Sequence, residues 1–177
     1  MSSREAAWPP QLERLLADDA VDVIICPDVA GRPDFGRELL RSEPMVAMLD
    51  AGHPLASRAG IHLAELRGAT LRFHPRHLAP AKHDFVVNAL RSTGEMFPVA
   101  PTPAGGLRRL VFGPDSFGVA LESMRGYLPA TVSCVPFLDP LPAADMELLW
   151  RRDRTAPRIQ VIIETARKLA ARENWAP

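Results

Sequence analysis

The feature that most limits what this chain can become is a succession of short apolar runs, each too brief to be a helix of its own. They are Val21 to Cys26, Met45 to Leu49, Thr70 to Phe73, Phe117 to Leu121, Val132 to Leu138 and Met146 to Trp150. Apolar runs of this length, bounded by proline and glycine, read as buried strands. Between them lie stretches with helical spacing. Leu12, Leu15 and Leu16 follow Pro9-Pro10, a favoured helix start. Phe85, Val86, Ala89 and Leu90 mark one face of a helix over 81–91, stopped by Gly94. Ile159, Ile162, Ile163, Ala166, Leu169 and Ala170 mark the clearest one, over 156–172, whose other face carries solvated charge. Further short strands are expected at Arg37 to Arg41 and Phe97 to Ala100, and short helices at Leu63 to Leu66 and around Leu107, Leu110 and Val111. Strands alternating with helices predict an α/β fold with mostly parallel sheets.

Proline and glycine punctuate the remainder. Pro27 to Pro33 is a loop and Gly52-His53-Pro54-Leu55-Ala56 a turn. Two breaks, near Gly68–Thr70 and at Asp139–Pro142, read as chain crossings. They divide the molecule into a first lobe of residues 1–69 plus 141–177 and a second lobe of residues 70–140. Two lobes imply a cleft, the usual seat of a small ligand.

Charge removes some functions. Lysine and arginine number 21 and aspartate and glutamate 21, so there is no net field to gather a phosphate backbone. No apolar run approaches the ~20 residues of a membrane helix. The start Met-Ser-Ser-Arg-Glu-Ala-Ala has no export-signal core, so a cytoplasmic protein without membrane contact is expected. Cys26 and Cys134 form no Cys-x-x-Cys pair and read as buried thiols, with a catalytic or bridged thiol as the alternative. Ser116 and Ser123 lack a Gly-x-Ser-x-Gly elbow, Gly113-Pro114-Asp115-Ser116 lacks the Gly-Lys-Ser/Thr of a phosphate loop, and His53 reads as a turn residue. Nothing pairs carboxylates for proton transfer, and no cofactor signature is present. A binding module fits better than an enzyme.

The most unusual stretch is His74-Pro75-Arg76-His77-Leu78-Ala79-Pro80-Ala81-Lys82-His83-Asp84, which holds three of the five histidines and runs into a helix start at Pro80. Unpaired amides and the positive end of the helix dipole favour an anion there, and Arg76 offers a fork for a carboxylate. The alternatives are a solvated basic loop whose histidines pack or cap, and a metal site in which His74 and His77 join His83 or Asp84. Thr102, between Pro101 and Pro103, either presents a hydroxyl to the cleft or belongs to a plain turn. Ser123 either faces the cleft or caps the following turn.

Several segments, in order, resemble one family. Leu15-Leu16-Ala17-Asp18 through Val21-Asp22-Val23-Ile24-Ile25 opens the likeness, followed by Glu38-Leu39-Leu40 with Glu43-Pro44-Met45-Val46-Ala47. His53-Pro54-Leu55-Ala56 with Ile61 to Leu66 comes next, then Phe117-Gly118-Val119-Ala120-Leu121 and Val135-Pro136-Phe137-Leu138-Asp139-Pro140. Leu148-Leu149-Trp150-Arg151-Arg152-Asp153 and the last helix complete it. Over residues 11 to 173 the chain resembles the effector-binding domain of LysR-type transcriptional regulators. The resemblance implies a type II periplasmic-binding-protein-like fold whose first lobe is incomplete, with the helix-turn-helix DNA reader and the domain's first strand, helix and second strand missing. It also implies that Pro80, Ala81 and Lys82 stand on the second wall of the effector cleft. The expected ligand-binding set is therefore His74, Arg76, His77, Pro80, Ala81, Lys82 and Thr102, with no catalytic residue and no metal.

The partners implied are a small-molecule effector, of carboxylate type, and a second copy joined through the first lobe, with no direct DNA contact from this chain. An effector touching both lobes would act by shifting the population between conformations. The alternative is a regulator-like protein that associates with itself or with full-length regulators without sensing a ligand. A third is an extracytoplasmic solute-binding protein of the same fold.

Overall fold

The computed structural model describes residues 8–27, 32–102, 112–154, 156–173 and 175. In chain order the elements are α1 (Pro9–Ala17), β1 (Val23–Pro27), β2 (Phe35–Glu43), β3 (Met45–Asp50), β4 (Thr70–Phe73), α2 (Pro80–Arg91), β5 (Val99–Pro101), β6 (Ser116–Leu121), β7 (Val132–Pro136), β8 (Ala144–Arg151) and α3 (Pro157–Arg172). The chain forms two compact units, Met1–Ser42 with Ala144–Pro177, and Glu43–Ala143.

The first unit holds a three-stranded sheet in the order β1-β8-β2, with β1 antiparallel to β8 and Ile25 opposite Leu148. Successive residues of a strand point to opposite faces, so Leu148 and Leu149 belong to different cores. Leu149 packs with Ile24, Cys26, Phe35 and Leu16 of α1. Leu148 packs with Leu40 and with Ile159 and Ile163 of α3. A helix on each face explains why Met146 to Trp150 reads as a nearly continuous apolar run.

The second unit holds five strands in the order β5-β4-β6-β3-β7. β4 is parallel to β5 and to β6, whereas β3 is antiparallel to β6 and to β7. This second sheet is thus mixed where the sequence suggests mostly parallel strands. The cause is β3, which arrives directly from β2, lies between two later strands, and runs against both. α2 buries Val86, Ala89 and Leu90.

The division also falls elsewhere than expected. The first crossing is at Ser42–Glu43, not at Gly68–Thr70, and the second is at Ala143–Ala144. Pro44 looks like a break between two hairpin strands, yet the neighbours of β3 are β6 and β7, so residues 43–69 belong to the second unit. Gly68, with φ of 86°, makes a local turn. The two residues at the crossing are held in different units: the Ser42 hydroxyl donates to the Asp145 carboxylate, while the Glu43 carboxylate accepts the Ser123 N–H at 2.7 Å and its Oγ–H at 2.9 Å.

The expected helix around Leu107, Leu110 and Val111 lies outside the described residues. The strand expected to reach Leu138 ends at Pro136, and the residues after β6 form a 3₁₀ turn, Glu122–Tyr127, that the sequence does not announce. Neither cysteine is in a disulfide; Cys26 is buried and Cys134 half-buried. Among the described residues no helix is long and apolar enough to cross a membrane.

Candidate functional site

Three parallel strands of the second unit end at one edge. β5 stops at Pro101, β4 at Phe73 and β6 at Leu121, so Thr102, His74 and the Glu122–Ser123 pair follow each other along that edge. The Thr102 N–H donates to the Phe73 carbonyl at 2.9 Å, fixing Thr102 beside the start of the histidine-rich stretch. That stretch makes a short 3₁₀ turn, Arg76–Leu78, and then enters α2 at Pro80. In open α/β sheets, ligands bind outside the carboxyl ends of parallel strands.

His74 is buried, with only 8% of its surface exposed. Its ring lies 4.1 Å from the Phe73 ring, and Nε2 is 3.5 Å from the Ala79 carbonyl. Burial lowers its pKa from 6.5 to about 4; the Ala79 carbonyl opposes the fall, and the Lys82 and His83 charges add to it. At neutral pH His74 is therefore an uncharged packing group, not a cation for a ligand. The His83 ring meets it edge-on, centroids 6.0 Å apart.

Arg76 is exposed, and its fork is already filled: Nε donates to Asp84 Oδ1 at 2.7 Å and a terminal nitrogen to Oδ2 at 2.6 Å. That hydrogen-bonded pair, helped by His83, holds the Asp84 carboxyl down at about 2. The open fork expected from the sequence is a closed ion pair. His77 is exposed on the same turn, Pro80 and Ala81 are exposed at the helix start, and Lys82 is partly exposed. The first amide bonded within α2 is that of His83, to the Ala79 carbonyl at 2.9 Å, so the Ala81 and Lys82 amides stand ahead of the helical ladder. Among the described residues no side chain caps this end. Pro80, having no N–H, costs the helix nothing there.

The seven expected residues thus fall on one strand end, one connection, one helix start and the neighbouring strand end. They do not form a metal centre: among the described residues no three His, Cys, Asp or Glu side chains come together to hold an ion. Sequence reasoning missed Glu43, whose buried carboxylate fastens the turn after β6 at the same edge. The only signal was an acidic residue directly ahead of an apolar strand. A separate depression of about 330 Å³ lies in the first unit, lined by Arg32, Asp34, Arg151, Arg152 and Asp153 among others, remote in sequence from the histidine-rich stretch. Bidentate pairs, Arg32 with Asp34 and Arg151 with Asp153, neutralise much of its charge.

Comparison with known proteins adds a family. Residues 4–171 match the LysR substrate binding domain. The HTH-type transcriptional regulator IlvR of Caulobacter vibrioides is 29% identical over 140 residues, 78% of this chain and 45% of that protein. BudR of Raoultella terrigena, another HTH-type transcriptional regulator, is 25% identical over 132 residues, 73% of this chain and 46% of its own. The chain spans about half the length of these curated relatives. Among solved structures, the effector binding domain of a BenM variant has a TM-score of 0.77 at 22% identity, covering 93% of this chain and 78% of that one. The BenM effector binding domain with its effector benzoate has a TM-score of 0.72 at 22% identity, covering 93% and 76%. These neighbours share the type II periplasmic-binding-protein-like α/β fold.

Proposed function

The chain belongs to the LysR substrate-binding domain family, and from that membership we propose that it is the effector-sensing part of a transcriptional regulator and not an enzyme. The edge formed by the ends of β5, β4 and β6 and the first turn of α2 takes a small carboxylate. One observation supports this reading: the Thr102 N–H donates to the Phe73 carbonyl where the parallel strands β5 and β4 end, and the chain runs from that edge through His74 to Ala79 into the start of α2. A helix start that no described side chain caps is an electrostatic seat for an anion, and Lys82 adds a cation. The BenM neighbour holds benzoate, so aromatic carboxylates are the first class to examine. The effector acts by binding one conformation better than another. With 21 basic and 21 acidic residues, this chain has no net charge to draw it to an operator.

Thermal unfolding in the presence of benzoate, succinate and related acids tests the reading. A ligand at 100 times its Kd adds about 2.7 kcal/mol to stability, and the rise in Tm should follow a binding curve. Lys82→Ala should weaken it. No rise with any acid at millimolar concentration sinks the carboxylate site.

A second reading, association through the first unit without sensing, is favoured by β1. It stands at the end of its described sheet with Ile25 55% exposed, and open edges invite pairing. Light scattering that finds a monomer at every concentration removes it.

A further inference from the structure

We propose that Asp84 is a built-in competitor for the effector's carboxylate: it occupies the guanidinium of Arg76, and an effector gains that guanidinium only by displacing it. This rests on the reading above that the edge takes a carboxylate.

The geometry is that of a ligand contact made by the protein to itself. Arg76 meets both oxygens of Asp84 side-on, at 2.7 and 2.6 Å, the fork arrangement by which arginine recognises carboxylates. The pair bridges the Arg76–Leu78 turn and α2, so the captured guanidinium belongs to the segment that leads directly into the helix start. Both partners are open to solvent, 65% for Arg76 and 42% for Asp84, and exposed pairs of this kind are weak enough to exchange. Asp84 also has somewhere to go. His83 Nδ1 lies 3.5 Å from its Oδ1, so a displaced carboxylate keeps a partner. Arg76 and His83 are the charged and titratable groups that act on Asp84, and Asp84 is the acid that acts on Arg76.

Acid cannot open the pair in the native range, because the Asp84 carboxyl stays ionised down to a pH of about 2. Substitution can. Binding of benzoate and of succinate to the full chain is measured by titration calorimetry for the wild type, Asp84→Asn, Arg76→Ala and the double variant. Removing a competitor of surface-pair strength tightens binding by about two- to five-fold in Asp84→Asn. Arg76→Ala binds more weakly, and Asp84→Asn adds nothing in the Arg76→Ala background, because the competitor then has nothing to occupy. Unchanged or weaker binding by Asp84→Asn overturns the proposal. So does equal tightening in the Arg76→Ala background, which marks a general charge effect. Asp84→Ser serves if the amide variant does not fold. If neither acid binds any of the four proteins, the carboxylate reading fails and this inference falls with it. If the wild type binds and ignores Asp84, this inference alone fails.

Discussion

A histidine with 8% of its surface exposed and its ring against Phe73 has little room for a proton. Burial holds the His74 pKa near 4 in the folded chain against 6.5 in the unfolded one. Above pH 6.5 both states are neutral and the residue is indifferent. Between 6.5 and 4 the unfolded chain takes up a proton that the native state refuses, so stability falls with falling pH, by up to about 2–3 kcal/mol. Urea unfolding at pH 7 and pH 4.5 should show this loss, and His74→Phe should remove that share of it. An unchanged pH slope in His74→Phe contradicts the burial argument. Three histidines near a helix start are visible in the sequence as a basic stretch. That one is a core residue depends on Phe73 and Ala79 closing around it, which only the strand and the helix together decide. Glu43 is the converse case. Its position ahead of Met45 is plain in the sequence, but its partner Ser123 is 80 residues away, and no local pattern joins them.

At the scale of elements, β2 and β8 meet where Gly36 lies under the Trp150 indole. A Cβ added to Gly36 would collide with the ring. Backbone and a rigid indole cannot both yield, so Gly36→Ala should destabilise the first unit by about 1–3 kcal/mol, the ordinary cost of overpacking. Chemical unfolding checks it, and a neutral result means that Trp150 has another rotamer within reach. The elements themselves were legible because burial writes a period into the chain. α3 repeats isoleucine at 159 and 163, and Met146 to Trp150 is apolar on both faces because α1 and α3 cover both. What periodicity does not contain is direction. β3 reads the same whether it runs with or against β6, and only the pairing of Met45 with Leu121 reveals that it runs against. The seven expected site residues rest on an anion-friendly composition around a helix start, and the helix start at Pro80 is where the sequence puts it. The closed pair of Arg76 with Asp84 was not, since it depends on how far the 3₁₀ turn folds back over α2.

At the scale of the whole molecule, the first unit is assembled from the two ends of the chain. Arg158 reaches Asp22, Arg167 reaches Glu38 and Arg154 reaches Asp19, across 136, 129 and 135 positions. These pairs are largely exposed, and solvent screening leaves such pairs weak. The apolar contacts of Ile159 and Ile163 with Leu40 and Leu148 therefore carry the closure. The second unit is one continuous stretch, Glu43–Ala143, with its own cluster of Val46, Met48, Phe112 and Ala120. Separate cores imply separable openings. Ile163→Ala removes buried methyl groups at a cost of about 2–4 kcal/mol. Hydrogen exchange should then rise in β1, β2 and β8, elements up to 140 residues before Ile163 in the chain. Amides of β3, β6 and β7 should stay protected. An equal rise in all strands would mean that the units open only together.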